Sequence, residues 1–279
     1  MDKKLVSFCL YGSLNKYLHG IIESVVSYKI YFIDWDIRVY VCSKLKDHKV
    51  CSILQGLNCE LVFVEQKSTK TESNEMMYHR FQPIFEDNIK YYLTRDADSR
   101  ASEREYRMVQ NFIKSGKTLH SILDQGCHHG LMGAGVSLDL EQLQQKNYAI
   151  PHFREYIDPK ISKEGMVRRG SDQTWLRIAF ASVIYEHDVF VSLNEDIITV
   201  NDRKGIKKEE IKLIGNVNIF DCPHEINEHC SNFHGRQINV DNTPNDVKSR
   251  NSVYIPCLLY TSDAADEGLG VDLGGRRII

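Results

Sequence analysis

Two kinds of hydrophobic pattern alternate along the N-terminal third of the chain. Short, nearly continuous apolar runs of strand length recur at residues 5–11, 37–42, 59–64 and 89–94. Between them, apolar residues recur at spacings of three and four, which is typical of helices with one buried face; these segments are 14–26, 45–57 and 76–85, the last interrupted at Pro83. Buried strands that alternate with helices predict an α/β fold, a mostly parallel sheet with helices on both faces.

Ligands of such sheets bind outside the carboxyl ends of the strands. The residues that follow the predicted strands are therefore the first candidates for a site. They are Tyr11-Gly12, Ser43-Lys44 and the segment from Arg95 to Arg100.

Two carboxylates follow the fourth predicted strand, Asp96 and Asp98, separated by the small Ala97. In an extended chain, side chains two apart point to the same side. Two neighbouring carboxylates are unfavourable unless a cation neutralises them. Their oxygens suit Mn²⁺ or Mg²⁺, which also bind substrate phosphates. The alternative is that these acids only form surface ion pairs with the arginines nearby.

A helix is predicted directly after this segment. Ser102 and Glu105 fit a capping box at its start, and Gly116 fits its end. A second predicted helix begins near Asp172 and continues through Ile184. On spacing alone, Ser171 or Asp172 is its N-cap.

Several segments together resemble a family of metal-dependent glycosyltransferases with the GT-A fold, a nucleotide-binding α/β sheet that carries an Asp-x-Asp motif. The resemblance extends over residues 80–188, and its most specific part is Arg-Asp-Ala-Asp-Ser-Arg at 95–100. The remaining parts are Arg80-Phe81-x-Pro83, Glu103-Arg104-Glu105, Lys117-x-x-His120, Asp124 and His129.

The resemblance implies transfer of a sugar from a nucleotide-sugar donor, UDP-linked, to a carbohydrate or glycoconjugate acceptor. It implies that Asp96 and Asp98 hold Mn²⁺ or Mg²⁺ on the donor diphosphate, with His187 as the third ligand. It also implies acceptor or general-base roles for Asp172 and Asp124. The residues expected to contact the donor are Tyr11, Gly12, Arg80, Arg95, Arg100, His120 and His129.

One stretch departs from that family. Where the family has a Gly-Gly-x-Trp-Gly type sequence, residues 132–137 read Met-Gly-Ala-Gly-Val-Ser, without a tryptophan. This leaves open a catalytically inactive protein of the same fold that binds a nucleotide sugar or carbohydrate. A nucleotidyltransferase or phosphohydrolase that uses the same acids is a third hypothesis.

Composition narrows the class of protein. The 279 residues are 42% hydrophobic and 26% charged, with a net charge of -3, which argues against a disordered chain or a dedicated nucleic-acid binder. No apolar run reaches eighteen residues, so we expect no membrane span. Scattered cysteines and a start without a signal-peptide pattern favour a cytoplasmic protein without disulfides.

The C-terminal residues 257–279 resemble a translated sequencing adapter. We therefore expect one GT-A-like domain over 1–256, truncated at its C-terminus. Within it, a cluster of Cys222, His224, His229, Cys230 and His234 has the residue types of a zinc site but not the usual spacing. His234 is a second candidate for the missing metal ligand, and the polar loop 67–75 is a candidate flap over the donor.

Overall fold

The computed structural model describes residues 3–70, 73–123 and 131–193, together with two short strands further along the chain. The strands are β1 Lys3–Leu10, β2 Asp36–Cys42, β3 Glu60–Val64, β4 Ile89–Thr94, β5 Ser99–Arg100, β6 Leu119–Leu123, β7 Val136–Asp139, β8 Val189–Leu193, β9 Asn232–Phe233 and β10 Arg236–Gln237. The α-helices are α1 Asn15–Tyr31, α2 Lys49–Gly56, α3 Glu103–Ser115, α4 Leu140–Gln145, α5 Phe153–Glu164, α6 Ser171–Ala179 and α7 Ala181–Tyr185. Two 3-10 helices cover Ser43–Leu45 and Glu75–Phe85.

The central sheet has seven strands in the order β3-β2-β1-β4-β7-β6-β8. The strand β7 is antiparallel to β4 and β6, and every other pair in this sheet is parallel. The predicted α/β class and mostly parallel sheet are confirmed. A small second sheet joins β5 to β9 and β9 to β10.

Helices cover both faces of the central sheet. Neighbouring residues of a strand point to opposite sides, so they pack into two different cores. In β1, Val6 packs into a core with residues of α1 and α2, whereas Leu5 packs into a second core with residues of α5, α6 and α7. In β4, Leu93 and Tyr92 divide between the same two cores in the same way. Burial on both faces explains why these strands read as continuous apolar runs.

The predicted helical segment 14–26 corresponds to α1, which begins at Asn15 and continues to Tyr31. Leu14 is in the N-cap position, without a side-chain capping hydrogen bond. The second predicted helix, 45–57, is divided into the 3-10 helix at Ser43–Leu45 and α2. The predicted helix after Asp172 is likewise two helices, α6 and α7, and Gly170 is the N-cap.

The loop before the 3-10 helix Glu75–Phe85 is held to the domain by hydrogen bonds in its described part, and its role as a flap over the donor stays a prediction. The buried Glu75 carboxylate accepts hydrogen bonds from the backbone N–H groups of Lys67 and Ser68, at 2.9 and 2.7 Å. Ser68 Oγ donates to the carbonyl of Gly165 at the end of α5, at 2.6 Å.

Within the described ranges, no helix has the length and apolar character that a membrane crossing requires. The Cys–His cluster at 222–234 and the segment 257–279 lie outside the described side chains, and their interpretations stay predictions.

Candidate active site at the carboxyl edge of the sheet

The Asp96–Asp98 segment turns directly beyond β4. The backbone N–H of Arg95 donates to the carbonyl of Ser7, at 3.0 Å, which continues the pairing of β4 with β1 by one residue. The N–H of Ser99 then donates to the carbonyl of Asp96, at 3.1 Å, and closes a tight turn over residues 96–99. The segment is therefore a turn and not the extended chain that the sequence predicts.

Helix α1 fixes the position of this turn. Ser24 Oγ donates to the carbonyl of Ala97, at 3.0 Å. Gly20 lies directly against the turn, because a Cβ added there would be 3.1 Å from the Cα of Asp98 and 3.2 Å from the carbonyl oxygen of Ala97. A larger residue at position 20 would push the turn away from the helix. The close approach explains why a glycine occupies the middle of a long helix, where it is otherwise unfavourable.

The two acids have different surroundings. The Asp96 side chain is 40% exposed, whereas the Asp98 side chain is 5% exposed and its Oδ2 lies 2.6 Å from the Nζ of Lys16, in the first turn of α1. Burial, followed by the charge of Asp96, raises the pKa of Asp98, and Lys16 opposes that shift. Asp96 is therefore the more accessible of the two carboxylates.

The backbone of Arg80 is held by β1 and β4. Its N–H donates to the Sγ of Cys9, at 3.1 Å, and its carbonyl accepts from Ser7 Oγ, at 2.9 Å, and from the hydroxyl of Tyr92. These contacts place a residue of the 3-10 helix at the carboxyl edge of the sheet, next to the turn.

The Arg80 side chain connects two acids from distant parts of the sequence. It is 3% exposed; its Nη1 donates to Asp96 Oδ1, and its Nη2 donates to Asp172 Oδ2, at 3.0 Å. Asp172, in the first turn of α6, has a side chain that is 6% exposed. One guanidinium therefore bridges the turn after β4 to the helix α6.

Gly133 completes this arrangement. Its carbonyl accepts from Thr94 Oγ1, at 3.0 Å, at the end of β4. A Cβ added at this position would be 2.3 Å from Arg80 Nη2 and 2.7 Å from Asp172 Oδ2. The glycine-rich stretch that departs from the family pattern thus packs against the Arg80–Asp172 pair, and a Cβ at this position would require these side chains to shift.

The predicted positions after β1 lie beside the same site. The hydroxyl of Tyr11 donates to Asn74 Oδ1, at 3.2 Å. Burial raises the pKa of Tyr11. Gly12 is exposed and has a φ of +77°, a conformation that favours glycine.

Arg95 and Arg100 do not face the site, contrary to the expectation that they contact the donor. Both side chains are fully buried. Arg95 Nε donates to Glu105 Oε1, at 2.7 Å, and its Nη1 donates to the carbonyls of Thr94 and Val136. Arg100 lies 3.6 Å from Glu23 of α1. Both arginines form ion pairs inside the protein. Arg95 connects the turn to α3, and Arg100 connects it to α1.

The signals predicted at the two ends of α3 are confirmed. Ser102 Oγ accepts from the N–H of Glu105, and Gly116 ends α3 with a φ of +64°. The Glu105 carboxylate also accepts from Arg95 and Tyr28. The glutamate of the predicted capping box therefore belongs to a buried ion pair as well.

His120 is a core residue, so its expected role in donor binding is wrong. It is fully buried in β6, where its ring nitrogens lie 3.2 Å from Ser137 Oγ and 2.9 Å from Ser192 Oγ on the two neighbouring strands. Burial lowers its pKa well below the ordinary histidine value, so the ring is neutral at pH 7.

His187 lies at the other edge of the sheet and cannot be the third ligand of an ion at Asp96. It is exposed, just before β8, and its carbonyl accepts from Lys117, which precedes β6. Both strands run in the direction of β4, so their starting ends lie opposite the turn at Asp96. Asp124 and His129 fall outside the described residues, and their assignments stay predictions.

The carboxylates of Asp96 and Asp98 could supply part of the coordination shell of Mn²⁺ or Mg²⁺. Asp96 offers an accessible carboxylate, and a nearby cation would offset the burial and the Asp96 charge that raise the pKa of Asp98. Over the described ranges, no three His, Cys, Asp or Glu side chains converge on one point. The other oxygen ligands would then be waters and substrate phosphates, as is usual for these ions.

Two residues of the site were missed in the sequence. Lys16 lies in the helix after β1, close to the segment that the strand-end rule selects, but its pairing with Asp98 depends on how α1 crosses the turn. Gly133 lies in the stretch that departs from the family, and its packing role required the three-dimensional neighbours Arg80 and Asp172.

No protein-family model matches the chain, and no curated protein matches it significantly. Solved structures that align with it include S. aureus TarS 1–349, with a TM-score of 0.46 and 12% identity, covering 82% of this chain and 69% of that chain. The glycosyltransferase GlyE of Streptococcus pneumoniae TIGR4 has a TM-score of 0.43 and 14% identity, covering 70% of this chain and 46% of that chain. The 4-diphosphocytidyl-2C-methyl-D-erythritol synthase of Anaerococcus prevotii has a TM-score of 0.41 and 10% identity, covering 76% of this chain and 96% of that chain. At these TM-scores and identities the similarity assigns no activity.

Proposed function

We propose that the protein is a glycosyltransferase that moves a sugar from a nucleotide-sugar donor, UDP-linked, to a carbohydrate or glycoconjugate acceptor. The observation that carries the proposal is the position of Asp96 and Asp98. They follow β4 at the carboxyl edge of the sheet, beside the end of β1, which is where ligands bind in this architecture. The Arg-Asp-x-Asp-Ser-Arg sequence of the GT-A resemblance falls on the same turn.

Asp96 and Asp98 would hold Mn²⁺ or Mg²⁺ against the donor diphosphate. When bound, the ion neutralises the charge that develops on the leaving phosphate. Lys16 is a second cation at this edge, since its ammonium group already contacts Asp98. Tyr11 and Gly12 lie at the end of β1, and we place the nucleotide base beside them.

Asp172 is a poor candidate for the general base. Its carboxylate accepts from Arg80 and is almost completely buried, so an acceptor hydroxyl cannot reach it in this arrangement. We propose that Asp172 instead holds Arg80 in place. A mechanism that retains the configuration of the sugar would need no protein base at this position.

Metal-dependent hydrolysis of a panel of sugar nucleotides tests the proposal, with the wild type compared with Asp98→Ala. We expect release of a nucleoside diphosphate that depends on Mn²⁺ and is lost in the variant. Equal rates and equal metal affinity in the two proteins would reject the assignment. Release of pyrophosphate or inorganic phosphate would instead identify a nucleotidyltransferase or a phosphohydrolase.

The burial of Asp172 and the packing of Gly133 over it favour a second candidate, a protein that binds a nucleotide sugar without turnover. Calorimetry with UDP and Mn²⁺ would show binding in both cases. Binding without product, for any donor and a broad set of acceptors, would support the second candidate over the first.

A further inference from the structure

We infer that Asp172 controls the metal affinity of Asp96 through Arg80, so that Arg80 is a positioning residue of the metal site and Asp172 acts at a distance from it. The inference rests on the proposed function, because it takes the metal to bind at Asp96. It assigns to Asp172 a role that differs from that of a general base.

The geometry supports the inference because a single guanidinium serves two carboxylates. Arg80 contacts Asp96 through Nη1 and Asp172 through Nη2, and its backbone is fixed by β1 and β4. The planar fork of an arginine allows both contacts at once, and a lysine could not reproduce it. Gly133 lies over the Nη2 contact and limits the space into which the side chain could move.

The charges then determine the direction of the effect. The contact between Arg80 and Asp172 pairs a cation with a carboxylate, so Asp96 keeps its charge for a metal ion. Without the negative charge of Asp172, the whole guanidinium charge acts on Asp96. In a medium of low dielectric constant, the buried arginine then competes strongly with a metal ion for the Asp96 carboxylate. The metal affinity of Asp96 should therefore fall.

The test is the Mn²⁺ affinity of Asp172→Asn in the presence of UDP, measured by electron paramagnetic resonance of free Mn²⁺. The amide keeps the size of the side chain and an oxygen that accepts from Arg80. We expect affinity to fall about tenfold, a usual coupling between neighbouring sites. Turnover should return at saturating Mn²⁺, which loss of a general base would not allow.

Asp36→Asn is the matched control. It removes the same charge from an exposed side chain at the start of β2, on the opposite edge of the sheet. Its Mn²⁺ affinity should equal that of the wild type. The double variant Arg80→Met with Asp172→Asn restores the local net charge and should recover the affinity. If this variant does not fold, the single variant and its control still decide the question.

Unchanged Mn²⁺ affinity in Asp172→Asn would overturn the inference. If turnover were also lost at every Mn²⁺ concentration, Asp172 would be the base, and the proposed function would stand. Absence of Mn²⁺ binding by the wild type, with and without UDP, would overturn both the inference and the metal-dependent transferase.

Discussion

Two buried arginines lie on either side of the Asp96–Asp98 turn, and they are used in different ways. Arg95 is sealed within the protein, where Glu105, Tyr28 and two backbone carbonyls accept its hydrogen bonds. Arg80 is equally buried, but one of its carboxylate partners, Asp96, is 40% exposed. The Arg95 cluster ends inside the core, whereas the Arg80 cluster reaches the surface at the carboxyl edge of the sheet.

The exposure of the carboxylate partner distinguishes a structural ion pair from one that could contact a ligand. Both arginines belong to the motifs of the family resemblance, and sequence alone gave them the same role. Removing one partner from a closed network leaves a buried charge unpaired and should cost stability. An open network presents a charge to a ligand, and changing it should alter binding with little effect on stability.

The largest effect should come from opening the closed network. Glu105→Ala leaves the Arg95 charge buried without its carboxylate, which costs about 3–5 kcal/mol of unfolding free energy. Urea unfolding monitored by circular dichroism measures it. Glu103→Ala on the same helix breaks the partly exposed pair with Arg107, and its cost should be below about 1 kcal/mol. Similar costs for the two variants would remove the distinction between closed and exposed pairs.

Next is the open network. Asp96→Ala should reduce metal-dependent turnover of the donor by about 100- to 1,000-fold, because the charge on the leaving phosphate loses its stabilisation. The unfolding free energy should change little, since Arg80 keeps Asp172 as a partner. Asp36→Ala is the control for loss of a carboxylate elsewhere. A variant that lost stability and kept its turnover would place Asp96 with the structural pairs.

The buried His79 extends the comparison to a side chain that stays neutral because burial disfavours its charged form. His79 is buried between the rings of Tyr40 and Phe153, and burial, aided by Arg154 and Lys67, lowers its pKa to about 4. Between about pH 4 and about pH 6.5 the unfolded chain holds a proton that the folded chain lacks, so unfolding free energy rises with pH, by up to about 3 kcal/mol.

His79→Phe removes this titration and keeps the ring packing. Its unfolding free energy, measured in urea between pH 4.5 and pH 7, should have a flatter pH dependence than that of the wild type, by the slope of one proton. The full wild-type slope in the variant would assign the acid sensitivity to other groups, such as His120.

The smallest effect should come from Gly133, which packs against Arg80 and Asp172. Gly133→Ala forces a Cβ against Arg80 and Asp172, and overpacking of this kind costs about 1–3 kcal/mol. The metal affinity should change as well, because the guanidinium must move. Gly116→Ala is the control, since its cost arises from a φ of +64° at the end of α3, with open space around the new Cβ. It should affect stability without affecting Mn²⁺ binding.

Much of the fold follows from the sequence. The strand at 89–94 and the helix end at Gly116 agree with the structure, because continuous apolar runs and a left-handed glycine are local signals. The C-terminal end of α1 at Tyr31 lies five residues beyond the predicted 14–26 segment.

The candidate site was only partly predictable. The position of Asp96 and Asp98 follows from strand order and the strand-end rule. The roles of Arg95 and His120 do not, because residue type does not show whether a polar side chain faces the core or the ligand. Arg80 connects Asp96 to Asp172, which lie 76 positions apart in the chain. Sequence spacing therefore could not predict this contact.

The most direct test of the central claim is the anomalous diffraction of Mn²⁺ in crystals grown with UDP. We expect one peak about 2.1 Å from a carboxylate oxygen of Asp96, in contact with the UDP diphosphate and next to Asp98. UDP bound at this edge with its diphosphate on Lys16 and without a Mn²⁺ peak at Asp96, or a peak elsewhere in the protein, would contradict the claim.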